Sequence, residues 1–233
     1  MPDADPSVLD NPAAHALAGP DARFAIRNGA AARYRTDVSP FAATPAADDD
    51  AAWRDLAALV PAGDAVGLAD PVLPAGWSAL GVYRVLQLVD VSVEAAADGV
   101  VPLGDADVPE MRELVDLARP GPFAERTIEL GGYVGIRVDG RLVAMAGERV
   151  HPAGWAEVSA VCTHPDHRGR GYAARAVRAV VGGVRERGDR AFLHVEAGNG
   201  GALRLYEALG FVVRREGEIV VAAPGEITVP APH

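Results

Sequence analysis

Lysine is absent from this chain of 233 residues, so all 22 of its basic side chains are arginine. That excludes Schiff-base chemistry of the pyridoxal-phosphate kind and the lysine of a Walker loop. A single cysteine, Cys162, excludes an internal disulfide framework and fits a reducing compartment. No apolar run approaches the roughly 20 residues that span a bilayer. The opening MPDADPSVLD is acidic where a signal peptide carries positive charge. A soluble, cytoplasmic protein with no membrane partner is expected. A net charge of −10 argues against nonspecific nucleic-acid binding. The charge is uneven: residues 1–110 hold 17 acidic and 6 basic side chains, residues 111–233 hold 15 and 16. The second half is the better home for an anionic ligand.

What is present is a mixed α/β order in which strands outnumber helices. A Pro/Ala/Asp-rich lead, expected to be flexible, runs to about Asp21. Alternation in RFAIRNGAAARY and WSALGVYRVLQLV predicts strands, and DDDAAWRDLAALV predicts a helix whose aspartates suit the positive end of its dipole. The turn-rich DVSVEAAADGVVPLGDAD suggests a boundary near residue 100, giving an N-terminal α/β segment, 1–100, and a second domain, 101–233. In the latter, VPEMRELVDLA and PFAERTIELG predict helices. YVGIRVDGRLVAMAGERV predicts a hairpin turning at Asp139-Gly140. A strand AEVSAVCT, a helix to about Arg187, a strand AFLHVEA, a short helix ALRLYEAL and the strands FVVRR and EIVVA complete the chain.

The stretch HPDHRGRGYAARAV, from His164 to Val177, joins a strand to a helix whose Ala173, Val177, Val180 and Val184 mark a buried face. Its turn therefore ends at a helix N-terminus, where free N–H groups, Gly169, Gly171, Arg168 and Arg170 suit a pyrophosphate. The same pattern also suits a plain glycine-rich turn with solvated arginines. Gly169, Gly171 and Ala174 satisfy a dinucleotide-binding fingerprint as well, with Glu196 closing the next strand. Against that reading, Thr163 to Arg168 separate the strand from the first glycine, and too little chain follows for a doubly wound sheet.

Arg168-Gly169-Arg170-Gly171-Tyr172-Ala173 resembles the Q/R-x-x-G-x-G/A acyl-CoA loop of the GNAT superfamily of N-acetyltransferases. Downstream, the segment from Asn199 to Phe211, NGGALRLYEALGF, resembles that superfamily's N-x-x-A-x-x-L-Y-x-x-x-G-F. The two occur in the right order over residues 101–222. EVSAVCTHPDHRGRGYA is most similar to the branch with a glycine N-acyltransferase-like C-terminal domain.

The resemblance implies a GNAT-like α/β (α+β) fold, with a mixed, mostly antiparallel sheet flanked by helices. It also implies transfer from acetyl-CoA, or another short acyl-CoA, to a primary amine by direct attack in a ternary complex. The cofactor-binding set it implies is Val161, Cys162, Thr163, Arg168, Gly169, Arg170, Gly171, Tyr172, Ala173, Asn199 and Tyr206. The loop would hold pyrophosphate, the backbone of Val161 to Thr163 would run beside pantetheine, and the Val161 N–H would meet the oxyanion. Tyr206 matches the tyrosine that protonates the departing thiolate, although Ala202, Leu205, Tyr206 and Leu209 also make an ordinary apolar helix face. Asn199 is both an N-cap candidate and a cofactor ligand.

Glu157, 11 residues before Arg168, is similar in position to the glutamate base of histone-acetylating members. It can serve at neutral pH if burial raises its pKa, or act through a water; the alternative is a surface strand carboxylate. His194 and His164 are further base candidates. Simple alternation places Glu157, Ser159 and Val161 on one face and Cys162 on the other, where Cys162 is read as a small buried hydrophobe. Cys162, His164 and His167 fall short of a structural zinc set, so no metal is expected. A small-molecule amine is the expected partner, and a homodimer is admitted. A noncatalytic acyl-CoA sensor and a protein acetyltransferase stand as the alternative functions.

Overall fold

The structure, a computed structural model, describes residues 4–225. Ten strands are formed: β1 (Ala25–Asn28), β2 (Ala31–Tyr34), β3 (Val66–Ala69), β4 (Trp77–Asp90), β5 (Val101–Pro102), β6 (Val134–Val138), β7 (Arg141–Glu148), β8 (Trp155–Thr163), β9 (Arg190–Glu196) and β10 (Phe211–Pro224). Five α-helices accompany them: α1 (Pro12–Ala18), α2 (Asp50–Leu59), α3 (Val108–Ala118), α4 (Tyr172–Glu186) and α5 (Gly200–Leu209). Strands β1 and β2 form a small hairpin, and the other eight make one sheet in the order β3-β10-β4-β9-β8-β7-β6-β5. Every neighbouring pair is antiparallel except β8 and β9. No helix among the described residues is long and apolar enough to cross a membrane.

Local chemistry accounts for the elements that the pattern predicts. Asp49 caps α2 by accepting from the Ala52 N–H at 2.9 Å, and Ala52, Trp53 and Leu56 turn inward. The β6–β7 turn has φ of 50° at Asp139 and 83° at Gly140, the left-handed pair a two-residue hairpin needs. Ala176, Val177, Val180, Val181 and Val184 bury one face of α4 in the main core, with Ala156 and Val158 of β8 and Leu193 and Val195 of β9. Helix α3 lays Met111 and Leu114 against Met145 and Cys162.

Several expectations need correction. PFAERTIELG forms only a 3₁₀ turn at Thr127–Leu130, and the Thr127 hydroxyl ties down the preceding chain by accepting from the Ala124 N–H at 2.7 Å. FVVRR and EIVVA are not two strands but one, β10, bulged between Val213 and Arg215 and paired along its length with β4. The lead is packed rather than free: Leu9, Ala16 and Leu17 are fully buried, and the Trp155 indole donates to the Asp5 carbonyl at 3.2 Å. Because β4 lies between β9 and β10, the strands before and after residue 100 share one sheet.

Candidate active site

The site is built where β8 and β9 part. The two pair only through Trp155–Arg190, Ala156–Ala191 and Glu157–Phe192, and then diverge. Just beyond, β8 bulges: Met145 pairs with Cys162 and Gly147 with Ser159, so Ala160 and Val161 together face Ala146. Ala160 takes φ of 51°, a left-handed conformation that costs a residue with a Cβ about 1–3 kcal/mol. The bulge reverses the alternation. Ala156 and Val158 pack with α4, but Ala160 and Cys162 pack with Met111 and Leu114 of α3, while Val161 returns to the α4 side. Simple alternation put Val161 with Glu157 and Cys162 opposite; the extra residue exchanges them. Cys162 is buried, and burial pushes its thiol up to about 12, so at neutral pH it is a packed thiol and not a nucleophile.

Strand β8 leads through a 3₁₀ turn, Pro165–His167, into the glycine loop and α4. Gly169 and Gly171 have φ of 75° and 76°, and a Cβ on either would meet nothing within 4 Å. The backbone here is both left-handed and open to a ligand. Gly171 precedes the first turn of α4 without a side-chain cap, and no acidic residue occupies that turn. The free N–H groups of Tyr172 and Ala173 therefore keep the positive end of the helix dipole, with Arg168 and Arg170 exposed beside them. Tyr172 is held between the His167 ring at 6.5 Å and the Arg175 guanidinium at 5.7 Å. Next to this loop Thr163 Oγ1 and His167 Nδ1 are buried with no hydrogen-bond partner among the described residues. Such orphaned groups call for a ligand or water.

Helix α5 closes the other side. Asn199 caps it, its Oδ1 accepting from the Ala202 N–H at 3.0 Å. Tyr206 is 8% exposed, packs edge to face on Phe211 with centroids 6.0 Å apart, and its hydroxyl bonds no described residue. Burial pushes the phenol up to about 12, so it keeps its proton at neutral pH.

On the face away from α4, Glu157 is 2% exposed and fully engaged. Arg149 Nη2 and Nε donate to its two oxygens at 2.5 and 3.0 Å, and His194 Nδ1 lies 2.7 Å from Oε1. Burial opposes ionisation, but the Arg149 charge and the hydrogen bonds from His194 and Arg149 outweigh it and hold Glu157 at about 2. The condition under which Glu157 would serve as a base, a pKa raised by burial, is not met: at neutral pH it is a saturated anion.

The position of His194 follows from its neighbours. Gln87 Nε2 donates to the Leu9 carbonyl at 2.8 Å and lies 3.1 Å from His194 Nε2, while Gln87 Oε1 accepts from Arg214 at 2.8 Å. The ring is thus held at both nitrogens, Nε2 beside the Gln87 amide and Nδ1 beside Glu157.

Beside this network opens a cleft of about 440 Å³, walled by Phe41, Tyr83, Val85, Ile219 and Val221, with Arg149, His194 and Glu196 among its polar lining and Pro120 to Pro122 at its edge. Phe41 lies against Gly67, where a Cβ would come within 2.7 Å of the ring, and the Arg149 guanidinium lies over it at 4.8 Å. A smaller hollow of about 30 Å³ shares Phe41 and Arg149 with the cleft and reaches Glu157.

Comparison with known proteins fits this geometry. The FR47-like protein family model matches residues 133–220. A crystal structure of a GNAT-family protein from Novosphingobium aromaticivorans is 40% identical, covers 94% of this chain and 99% of its own, and superposes with a TM-score of 0.86. The chain belongs to the GNAT family of acetyltransferases. A GCN5-related N-acetyltransferase from Kribbella flavida, at 23% identity over 91% of this chain and 95% of its own, shares the fold with a TM-score of 0.61. No curated protein matches.

In this GNAT acetyltransferase the structure brings Val161, Thr163, the Arg168–Ala173 loop, Asn199 and Tyr206 around the splay, and puts Glu157 on the opposite face. His164 lies at the loop, its Nδ1 accepting from the Asp166 N–H at 3.2 Å, away from the cleft. Sequence reasoning missed Arg149, Gln87, Arg214 and Phe41. Each reaches the site across strands or from a loop distant in sequence, and the one available signal was the presence of arginines in otherwise apolar strands.

Proposed function

We propose that this GNAT acetyltransferase passes an acetyl or other short acyl group from acyl-CoA directly to the amine of a small molecule. The observation that carries this reading is the splay of β8 from β9, ending in an uncapped, open α4 N-terminus with orphaned Thr163 and His167 atoms beside it. Those groups fit a CoA pyrophosphate and its chain. When bound, acyl-CoA supplies the activated thioester. The loop N–H groups and Arg168 and Arg170 would hold the phosphates, and the Val161 N–H, re-aimed by the bulge, would donate to the oxyanion that develops on the carbonyl oxygen. The amine nitrogen bonds to the carbonyl carbon as the C–S bond breaks, and Tyr206, still protonated, gives its proton to the thiolate.

Glu157 fits the role of a fixed anion better than that of a proton acceptor. Its part is to hold Arg149 at the cleft and to orient His194, while the amine proton leaves through solvent. A walled cleft of about 440 Å³ falls within the range of small-ligand sites and favours a small acceptor over a protein. Within the family, Glu157 to Ala173 favours the glycine N-acyltransferase-like branch. The test is release of free CoA thiol from acetyl-CoA on addition of amines. Amine-dependent release supports transfer; binding of acetyl-CoA without release to any of a broad amine panel favours a sensor.

A further inference from the structure

Two charged side chains line the cleft beside β9, Arg149 and Glu196. The Arg149 charge is matched by Glu157 through two hydrogen bonds, at 2.5 and 3.0 Å. His194, the neighbour of Glu196 on the same face of β9, is engaged at both ring nitrogens, by Glu157 and by Gln87. Glu196 differs from all of these. It is exposed, pairs with no arginine or histidine, and its carboxylate makes no hydrogen bond among the described residues. It ends β9 beyond the point where β8 departs, and its backbone is fixed there by pairing with Val85. The lining thus carries one uncompensated charge, a carboxylate, set against walls of Phe41, Tyr83, Val85, Ile219 and Val221.

We propose that Glu196 is the anchor for the acceptor's ammonium group, and that the acceptor is a primary amine with an apolar or aromatic body and no anionic group of its own. The proposal rests on the acyl-transfer reading for its biological use, but the anchor itself is a binding property. Apolar walls favour burial of the body, and a charge-assisted hydrogen bond to Glu196 orients the nitrogen. An acceptor with a carboxylate near its amine would place like charges together, and the one cation nearby is already neutralised.

The experiment is calorimetric titration at neutral pH of 2-phenylethylamine, phenylalanine and 2-phenylethanol into the wild-type protein and Glu196→Gln. Wild type is expected to bind 2-phenylethylamine more tightly than phenylalanine, and Glu196→Gln to weaken the amine by about tenfold or more, in keeping with loss of a charged hydrogen bond. The neutral alcohol should bind both proteins equally, showing that the cleft is intact. Equal amine affinity in the two proteins, phenylalanine binding as well as the amine, or no amine binding to wild type would each overturn the proposal. Acetyl-CoA titrated into the same proteins reads the transferase assignment separately: its failure to bind, with the amine still held by Glu196, would remove that assignment and leave the anchor standing.

Discussion

Raising the pH from 6.5 to about 9 should destabilise this protein through one residue, His151. Its Nδ1 lies 3.1 Å from Asp21 and its Nε2 3.0 Å from Glu148, and its side chain is 13% exposed. Asp21 also accepts from the Tyr34 hydroxyl at 2.6 Å, and Glu148 pairs with Arg187, so the network ties the N-terminal segment to β7 and α4. Burial disfavours the imidazolium, but the hydrogen bonds and charges of the two carboxylates outweigh it and raise the pKa from 6.5 to about 9. Below 6.5 the folded and unfolded chains both hold the proton and the stabilisation is fully present. Between 6.5 and about 9 only the folded chain holds it, so each pH unit removes about 1.4 kcal/mol, roughly 3 kcal/mol over the window. For a chain of this size that is a fall in Tm of roughly 6–12 °C. Thermal unfolding across the window, for wild type and His151→Gln, measures it. The variant should start lower and show little slope. Equal slopes in the two proteins, or a flat wild type, would refute the reasoning.

Two further predictions concern the cosubstrate side. Gly171→Val should fold, because the space around its Cβ is open and the left-handed backbone costs only about 1–2 kcal/mol. Its acetyl-CoA affinity, measured by calorimetry, should be lost, and retained affinity would show that the loop does not hold the cosubstrate. Tyr206→Phe should lower turnover by about 10²-fold or more while leaving acetyl-CoA affinity in place, as removal of a general acid does. Steady-state kinetics beside binding measurements separates these effects, and an unchanged turnover would return Tyr206 to a packing role.

The parts legible in the sequence were those made by residues near one another in the chain. The glycine loop, the α4 face of Val177, Val180 and Val184, the Asn199 cap and the Asp139-Gly140 turn each depend on a short stretch, and each stands where the pattern placed it. Failures came where a distant partner decides the outcome. Strand β4 enters between β9 and β10, a pairing that no local period encodes, and this holds FVVRR and EIVVA in one continuous strand. The bulge at Ala160 adds a single residue and inverts the faces of Val161 and Cys162, which alternation cannot foresee. Glu157 was identified as a residue of interest, but its acidity is set by Arg149, eight residues earlier just past the end of β7, and by His194, 37 residues later on β9.

Whether the open turn at the α4 N-terminus holds acyl-CoA is decided by thermal unfolding with acetyl-CoA, with NAD as the comparison ligand. At about 100 times its dissociation constant a ligand stabilises the fold by about 2.7 kcal/mol, a readily measured rise in Tm. The Tm should rise with acetyl-CoA and stay unchanged with NAD; stabilisation by NAD alone, or by neither ligand, would rule out acyl-CoA at this turn.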